Sequence, residues 1–222
     1  MAFDRVVLEP LGADEIRRIG DELERRLDSH DGPVAIAVNL LFAYANATHE
    51  RTLGDALRAR FSGTPVSLSH EVSPIWREYE RGSTTILDAY LKPVVKGLTD
   101  VLEEGLGRRG FDGLLSIMKS NEGQMLAAVA GEQPIQTVLS GLSGELAGRL
   151  FGELAGQSSV IKFDMGGTSA DVGLIRNGEI AYVQEFELEY GMPIATPAID
   201  LVTVGAGGGS IAWTLSGGRS TF

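Results

Sequence analysis

The sequence predicts an α/β fold, a parallel βαβαβα unit followed by a β-meander. Three observations carry this. Val34 to Phe42 is nearly all apolar, as expected of a strand buried on both faces in a parallel sheet. Helical spacing recurs between the strand candidates, at Ile16, Ile19, Leu23 and Leu27 and again at Leu53, Leu57 and Phe61. From Val160 the pattern changes to strand-like runs, broken by a glycine turn at Gly166-Gly167 and a hairpin signal at Asn177-Gly178.

In chain order, a short strand-like lead (Val6, Val7, Leu8) ends at Pro10, and Leu11 to Leu27 reads as an amphipathic helix. His30-Asp31-Gly32-Pro33 breaks it before the apolar strand. A helix from Ala47 to Phe61 follows, with Asn46 or Thr48 able to cap it. Ser62-Gly63-Thr64-Pro65 turns into a strand, Val66 to Ser69. Tyr79 to Leu106 is the longest helical stretch. Leu87, Leu91, Val94, Leu98, Val101 and Leu102 keep its period, and Pro93 is expected to kink or split it near Lys92. Leu114 to Met118 is another strand candidate. A further helix, Ser143 to Leu154, carries Leu146, Leu150 and Leu154, and Gly156 ends it. After the hairpin a third β run spans Ile180 to Leu188. The cleanest boundary is Gly156-Gln157-Ser158, giving domains of residues 1–156 and 157–222.

Bulk properties narrow the function classes. The chain of 222 residues has a net charge of −11 and no Lys/Arg stripe, which argues against a nucleic-acid partner. The absence of cysteine removes disulfides, thiolate catalysis and cysteine-bound zinc. His30, His49 and His70 lie in unrelated contexts with no metal-ligand spacing. The longest apolar run is too short to span a bilayer and the N-terminus lacks a signal-peptide pattern, so a cytoplasmic protein with no membrane partner is expected.

The stretch with chemical character is Val160 to Ile175. A strand ends in Asp164, the turn holds Gly166, Gly167, Thr168 and Ser169, and Asp171 opens the next strand. Both glycines permit positive φ and close approach of a ligand to the backbone. Successive N–H groups in such a turn form a concave anion site, and the two hydroxyls add donors. Asp164 could hold a hydrated Mg²⁺ or orient a water. Spacing alone fits an ordinary β-hairpin equally well.

Asp-Met-Gly-Gly-Thr-Ser-Ala-Asp-Val (Asp164 to Val172) resembles a phosphate-binding hairpin of the actin-like, ribonuclease H-like ATPase fold. More narrowly it is similar to the hydantoinase A / 5-oxoprolinase family, which includes acetone and acetophenone carboxylase subunits. Leu41 to Glu50, Glu78 to Thr85 and Thr203 to Trp213 support the resemblance in the same order along the chain. It implies binding of ATP and Mg²⁺, with phosphate cradled by Gly166, Gly167, Thr168 and Ser169. Asp164 and Asp171 become catalytic candidates, Asp164 also the metal candidate. Gly207, Gly208, Gly209 and Ser210 become a second active-site loop, otherwise readable as a packed turn.

The reaction implied is ATP-dependent opening of a small cyclic amide: ATP phosphorylates the amide oxygen and water attacks the activated carbon. Two alternatives stand beside it. One is a ketone carboxylase subunit on the same fold, the other a catalytically silent piece acting through protein partners. Two actin-like domains each contribute one such hairpin, and this sequence has one. The resemblance therefore implies an internal piece, the later part of the first domain and the start of the second, inactive without a partner subunit or further chain.

The remaining motifs read first as structural. Glu50 suits a helix N-terminus, with His49 as a possible general base. Glu78, Glu80 and Arg81 read as a solvated charge cluster at a helix start. Ser120-Asn121-Glu122-Gly123 and Ser140-Gly141-Leu142-Ser143-Gly144 depart from the family's glycine- and proline-containing patterns. Each departure adds a side chain where close approach is expected.

Overall fold

The computed structural model describes residues 7, 9–139, 144–188, 191–211, 213–214 and 220–221. Val6 and Leu8 of the lead, residues 140–143 of the Leu142 motif and the side chain of Trp213 thus lie outside what is described. Two units share the chain. One takes the described residues of Met1–Ile117, Gln124–Val138 and Gln184–Thr196, the other those of Met118–Gly123, Leu139–Val183 and Pro197–Phe222. The boundary expected at Gly156 to Ser158 falls inside the second.

The first unit begins with α1 (Ala13–Leu27), β1 (Ile36–Val38), α2 (Thr48–Arg60) and β2 (Val66–Leu68). The two strands pair in parallel, Ile36 opposite Val66 and Val38 opposite Leu68. Ile36, Val38, Leu53, Leu57, Val66 and Leu68 form a buried core, against which Ile16, Ile19 and Leu23 of α1 and Phe61 pack. This βαβ element matches the expected order. Gly54 lets α2 lie on β2, since a Cβ there would sit 2.5 Å from Leu68 Cδ1. Just ahead of α2, Asn46 Oδ1 accepts from the Thr48 N–H (3.0 Å) and hydroxyl (2.6 Å), while Ala47 at the N-cap makes no side-chain cap.

Several expectations need correction here. The apolar run of Val34 to Phe42 yields only three strand residues, and Ala37 between Ile36 and Val38 is exposed, so the strand is not buried on both faces. The parallel βαβαβα sheet is not found among the described residues. β3 (Ser116–Met118) pairs instead with β4 (Gln124–Leu126), leaving β1 and β2 as the parallel pair. Beyond β2, α3 (Ser69–Val72) leads to α4 (Glu78–Gly107), 30 residues that run on through Pro93 without splitting. Its apolar stripe is the outward one, with Val94, Leu98 and Val101 exposed. The buried face carries Arg81, Ser83, Thr84, Thr85, Asp88, Ala89, Lys92 and Thr99. That face packs on α5 (Ala127–Glu132), the 3₁₀ turn Pro134–Thr137 and β10 (Met192–Ile194), which pairs with β9 (Phe186–Leu188).

In the second unit α6 (Gly144–Leu154) packs on a sheet of β5 (Val160–Met165), β6 (Ala170–Arg176), β7 (Glu179–Ile180) and β12 (Leu201–Val204). Gly156 at φ 69° closes α6, with the Gly156 N–H donating to Glu153 O and the Gln157 N–H to Gly152 O, a Schellman end. Leu150 and Leu154 face outward while Glu145 and Gly152 are buried, contrary to the predicted stripe. The β5–β6 hairpin forms as read. Asn177 (φ 55°) and Gly178 (φ 78°) supply the two left-handed residues of a tight turn into β7. The expected third run then breaks: β8 (Tyr182–Val183) pairs with β11 (Ala198–Ile199), and β9 belongs to the first unit. Two terminal strands, β13 (Trp213–Thr214) and β14 (Ser220–Thr221), pair with each other. Among the described residues no helix is long and apolar enough to cross a membrane.

Candidate functional site

Antiparallel register assembles the site. Asp164 on β5 stands opposite Asp171 on β6, which stands opposite Thr203 on β12. All three therefore lie on one face of the sheet. The Thr203 hydroxyl donates to Asp171 Oδ1 at 2.7 Å. Lys162, two residues before Asp164 and so on the same face, has its ammonium 3.4 Å from Asp164 Oδ2. It is also 3.6 Å from Oε1 of Glu145, a fully buried residue in the first turn of α6.

Gly166 to Ser169 bridge β5 and β6. The Gly166 N–H donates to Ser169 O at 2.9 Å, closing the turn. Gly166, Gly167 and Thr168 are exposed and Ser169 is half-buried. Neither glycine adopts positive φ, so the expected reason for their presence is corrected. What the structure supplies instead is space: a Cβ on Gly167 would meet nothing within 4 Å. Among the described residues the N–H groups of Gly167 and Thr168 have no partner, and both residues are exposed, which leaves these donors free to pair with a ligand.

The second glycine loop braces this turn from behind. Gly208 N–H donates to Gly166 O (2.8 Å) and Gly209 N–H to Gly167 O (3.1 Å). The loop closes on itself through Ser210, whose N–H donates to Gly207 O and whose hydroxyl accepts from Gly207 N–H at 3.0 Å. Gly207 is buried against the turn. A Cβ there would lie 2.7 Å from Gly166 O, Gly167 C and Thr168 C. The structure thus brings Asp164, Gly166 to Ser169, Asp171 and Gly207 to Ser210 together in one unit. Carbonyls of the turn are occupied by the brace while N–H groups remain presented, an arrangement suited to an anion.

Two carboxylates without further ligands do not form a protein cage for a metal. No group of three or more His, Asp or Glu side chains among the described residues is placed to hold one. Asp164, exposed at the strand end, fits the way Mg²⁺ commonly binds: one or two carboxylates, several waters and a phosphate.

Sequence reasoning missed Lys162, Glu145 and Thr203. Strand alternation from Asp164 was signal enough to find Lys162. Thr203 depends on the β6–β12 register and Glu145 on helix packing, which no local pattern shows.

In the first unit, Glu50 and Arg81, the latter read as part of a solvated charge cluster, belong to a buried network. Glu50 accepts from Leu40 N–H (2.8 Å), Ser69 Oγ (2.6 Å) and His70 N–H (3.0 Å), and pairs with His70 Nδ1 (2.7 Å). It lies in the first turn of α2, as read, and is also a wholly buried acceptor. Arg81, wholly buried, donates to Asn39 Oδ1, Ser69 Oγ, Ile75 O and Leu40 O and pairs with Glu78. These bonds fix the Leu40 to Asn46 loop, where Phe42 is held at φ 59°. Glu122 in the second unit likewise takes a left-handed φ of 66°, within the Ser120 to Gly123 stretch that departs from the family's pattern.

The comparisons with known proteins agree with the motifs. The caprolactamase alpha subunit of Pseudomonas jessenii is 34% identical over 80% of this chain and 26% of its own length. The 5-oxoprolinase of Saccharomyces cerevisiae is 34% identical over 81% of this chain and 14% of its own. The crystal structure of the ATP-dependent caprolactamase from Pseudomonas jessenii superposes with a TM-score of 0.80 at 28% identity, covering 98% of this chain and 31% of that one. The chain spans about a third or less of the length of these relatives. The hydantoinase/oxoprolinase family model matches residues 81–222, and the chain belongs to that family.

Proposed function

We propose that the chain supplies one phosphate-binding wall of an ATP site in a hydrolase that opens a small cyclic amide. The observation that carries this is the open glycine turn, with the N–H groups of Gly167 and Thr168 presented beside Asp164 and Asp171 and the turn held rigid by Gly207 to Ser210. Donors fixed before the ligand arrives stabilise developing negative charge without reorganisation. In this reading Thr168 and Ser169 add hydroxyl donors to a terminal phosphate, and Thr203 orients Asp171. Mg²⁺ bound at Asp164 would neutralise phosphate charge. Asp164 positions what approaches the phosphate, and the amide substrate meets it from a second wall of actin-like kind, on further chain or a partner subunit. Identity near 34% to a lactam-opening and an oxoproline-opening enzyme favours the hydrolase over the ketone carboxylase.

The test is phosphate release and ring opening with a lactam, Mg²⁺ and ATP. The chain is assayed alone and with a relative's fragment carrying the other phosphate hairpin. Turnover only in the combination, lost on Asp164→Ala, is the expected result, because proximity supplies on the order of 7–11 kcal/mol of such rate enhancement. Strong Mg²⁺-dependent hydrolysis by the chain alone would contradict the single-wall reading. Turnover unaffected by Asp164→Ala would contradict the role of Asp164.

A further inference from the structure

The glycine turn has a cation built into its flank. Glu145 is wholly buried, and among the described residues neither of its carboxylate oxygens receives a hydrogen bond. Burying a carboxylate without a hydrogen bond is costly unless an opposite charge stands beside it, and the Lys162 ammonium stands 3.6 Å away. Glycines make the slot for the pair. A Cβ at Gly173 would lie 2.4 Å from Glu145 Oε1, and one at Gly144 would lie 3.1 Å from Lys162 Cε. The Lys162 side chain is 12% exposed while that of Asp164 is 61% exposed. Lys162 is therefore a fixed charge, with its ammonium 3.4 Å from a carboxylate that faces solvent.

We propose that Lys162, anchored by Glu145, controls cation entry at Asp164. Its ammonium holds the flank of the carboxylate that a bare divalent cation would use, so the metal is retained only when it arrives with polyphosphate. This rests on the phosphate-turn reading and adds to it a preference for the metal–nucleotide complex over metal alone. The physical reason is charge. Lys162 cancels one of the two negative charges that Glu145 and Asp164 bring and repels a free divalent ion. A polyphosphate at the turn is attracted to the same ammonium and brings its own oxygen ligands to the metal. Lys162 is a positioning residue that acts through Asp164.

The test uses Mn²⁺ as probe, its free concentration read from the paramagnetic resonance signal, with and without a non-hydrolysable ATP analogue. Lys162→Met alone leaves Glu145 buried and unpaired, so the Lys162→Met/Glu145→Gln double variant, which removes both charges, guards against misfolding. The expected result without nucleotide is Mn²⁺ binding about tenfold tighter or more in Lys162→Met, as loss of a positive charge at this distance implies. The gain is smaller in the double variant, where the local net charge is unchanged and only the ammonium beside Asp164 is gone. Adding Asp164→Ala should abolish the gain. Structural damage would lower affinity rather than raise it. In the native chain the analogue should increase Mn²⁺ uptake. Unchanged or weaker Mn²⁺ binding by the folded variants, with normal analogue binding, overturns the inference about Lys162 alone. A gain with no effect of the analogue supports the hold of Lys162 on Asp164 and overturns the phosphate-turn reading.

Discussion

Gly167 and Gly207 belong to the same small assembly, yet side chains at the two positions meet opposite fates. At Gly207 a Cβ meets three backbone atoms at 2.7 Å, and backbone cannot swing aside. Gly207→Ala should therefore destabilise the chain by about 1–3 kcal/mol, as overpacking does, read as a lowered denaturant midpoint. Gly167→Ala, with open space around it, should leave that midpoint unchanged. A second residue-scale outcome concerns Tyr182. Loss of solvent around its hydroxyl and the adjacent Glu122, which accepts its hydrogen bond at 2.7 Å, push its pKa up to about 12. The raised pKa means the stability it contributes is complete below the ordinary tyrosine value of 10.0 and is lost as pH rises through about 12. A phenolate absorbance titration of native chain minus Tyr182→Phe should show a group titrating near that value. The identities of Asp164, Gly166, Gly167 and Asp171 were legible as a motif. The reason for the glycines was not, because local sequence shows φ preferences and hides which loop packs on which.

Among the elements, α4 is where periodicity misled. Leu98 and Val101 keep a helical stripe, but the helix turns its polar side inward. Those polar groups are satisfied by partners distant in sequence: Asp88 accepts from Ser67 Oγ (2.7 Å) and Ile135 N–H (3.2 Å). The Thr84 hydroxyl accepts from Ala195 N–H at 2.9 Å. No window along α4 contains those partners. The consequence is testable by comparing two lysines one turn apart. Lys92 is buried 3.6 Å from Asp88, whose carboxyl is pushed upward in pKa chiefly by burial. Lys96 pairs with Asp100 in solvent. Lys92→Met should cost about 3 kcal/mol by leaving a buried charge without its cation. Lys96→Ala should cost about 1 kcal/mol or less. Equal effects in thermal unfolding would show that the interior of α4 is not organised around Asp88. The α2 helix and the β5–β6 hairpin were legible, since a core stripe and a paired turn signal lie close in sequence.

For the whole molecule, the sheet of β5, β6 and β12 is two-sided. Ile161, Phe163, Met165, Leu174, Val202 and Val204 make an exposed apolar face, while Lys162, Asp164, Asp171 and Thr203 lie on the other. Apolar area of this kind drives association. The isolated chain should sediment with concentration-dependent mass, and Phe163→Ser with Val202→Ser should reduce the effect. A strictly monomeric native chain would show that this face does not drive association. Sequence order gave the alternation of helices and strands. It could not give the division into two units, because each unit is assembled from three separated stretches joined by long-range pairing.

The central claim, that the glycine turn cradles phosphate, is tested most directly by calorimetric titration of Mg-ATP into the native chain and the Gly167→Val variant, with circular dichroism on both. A Cβ at residue 167 meets nothing within 4 Å, so the variant should fold as the native chain does. The predicted result is measurable binding by the native chain and its loss in the folded variant, whose side chain occupies the space where phosphate would approach the Gly167 and Thr168 N–H groups. Equal affinity in the two folded proteins would contradict the account.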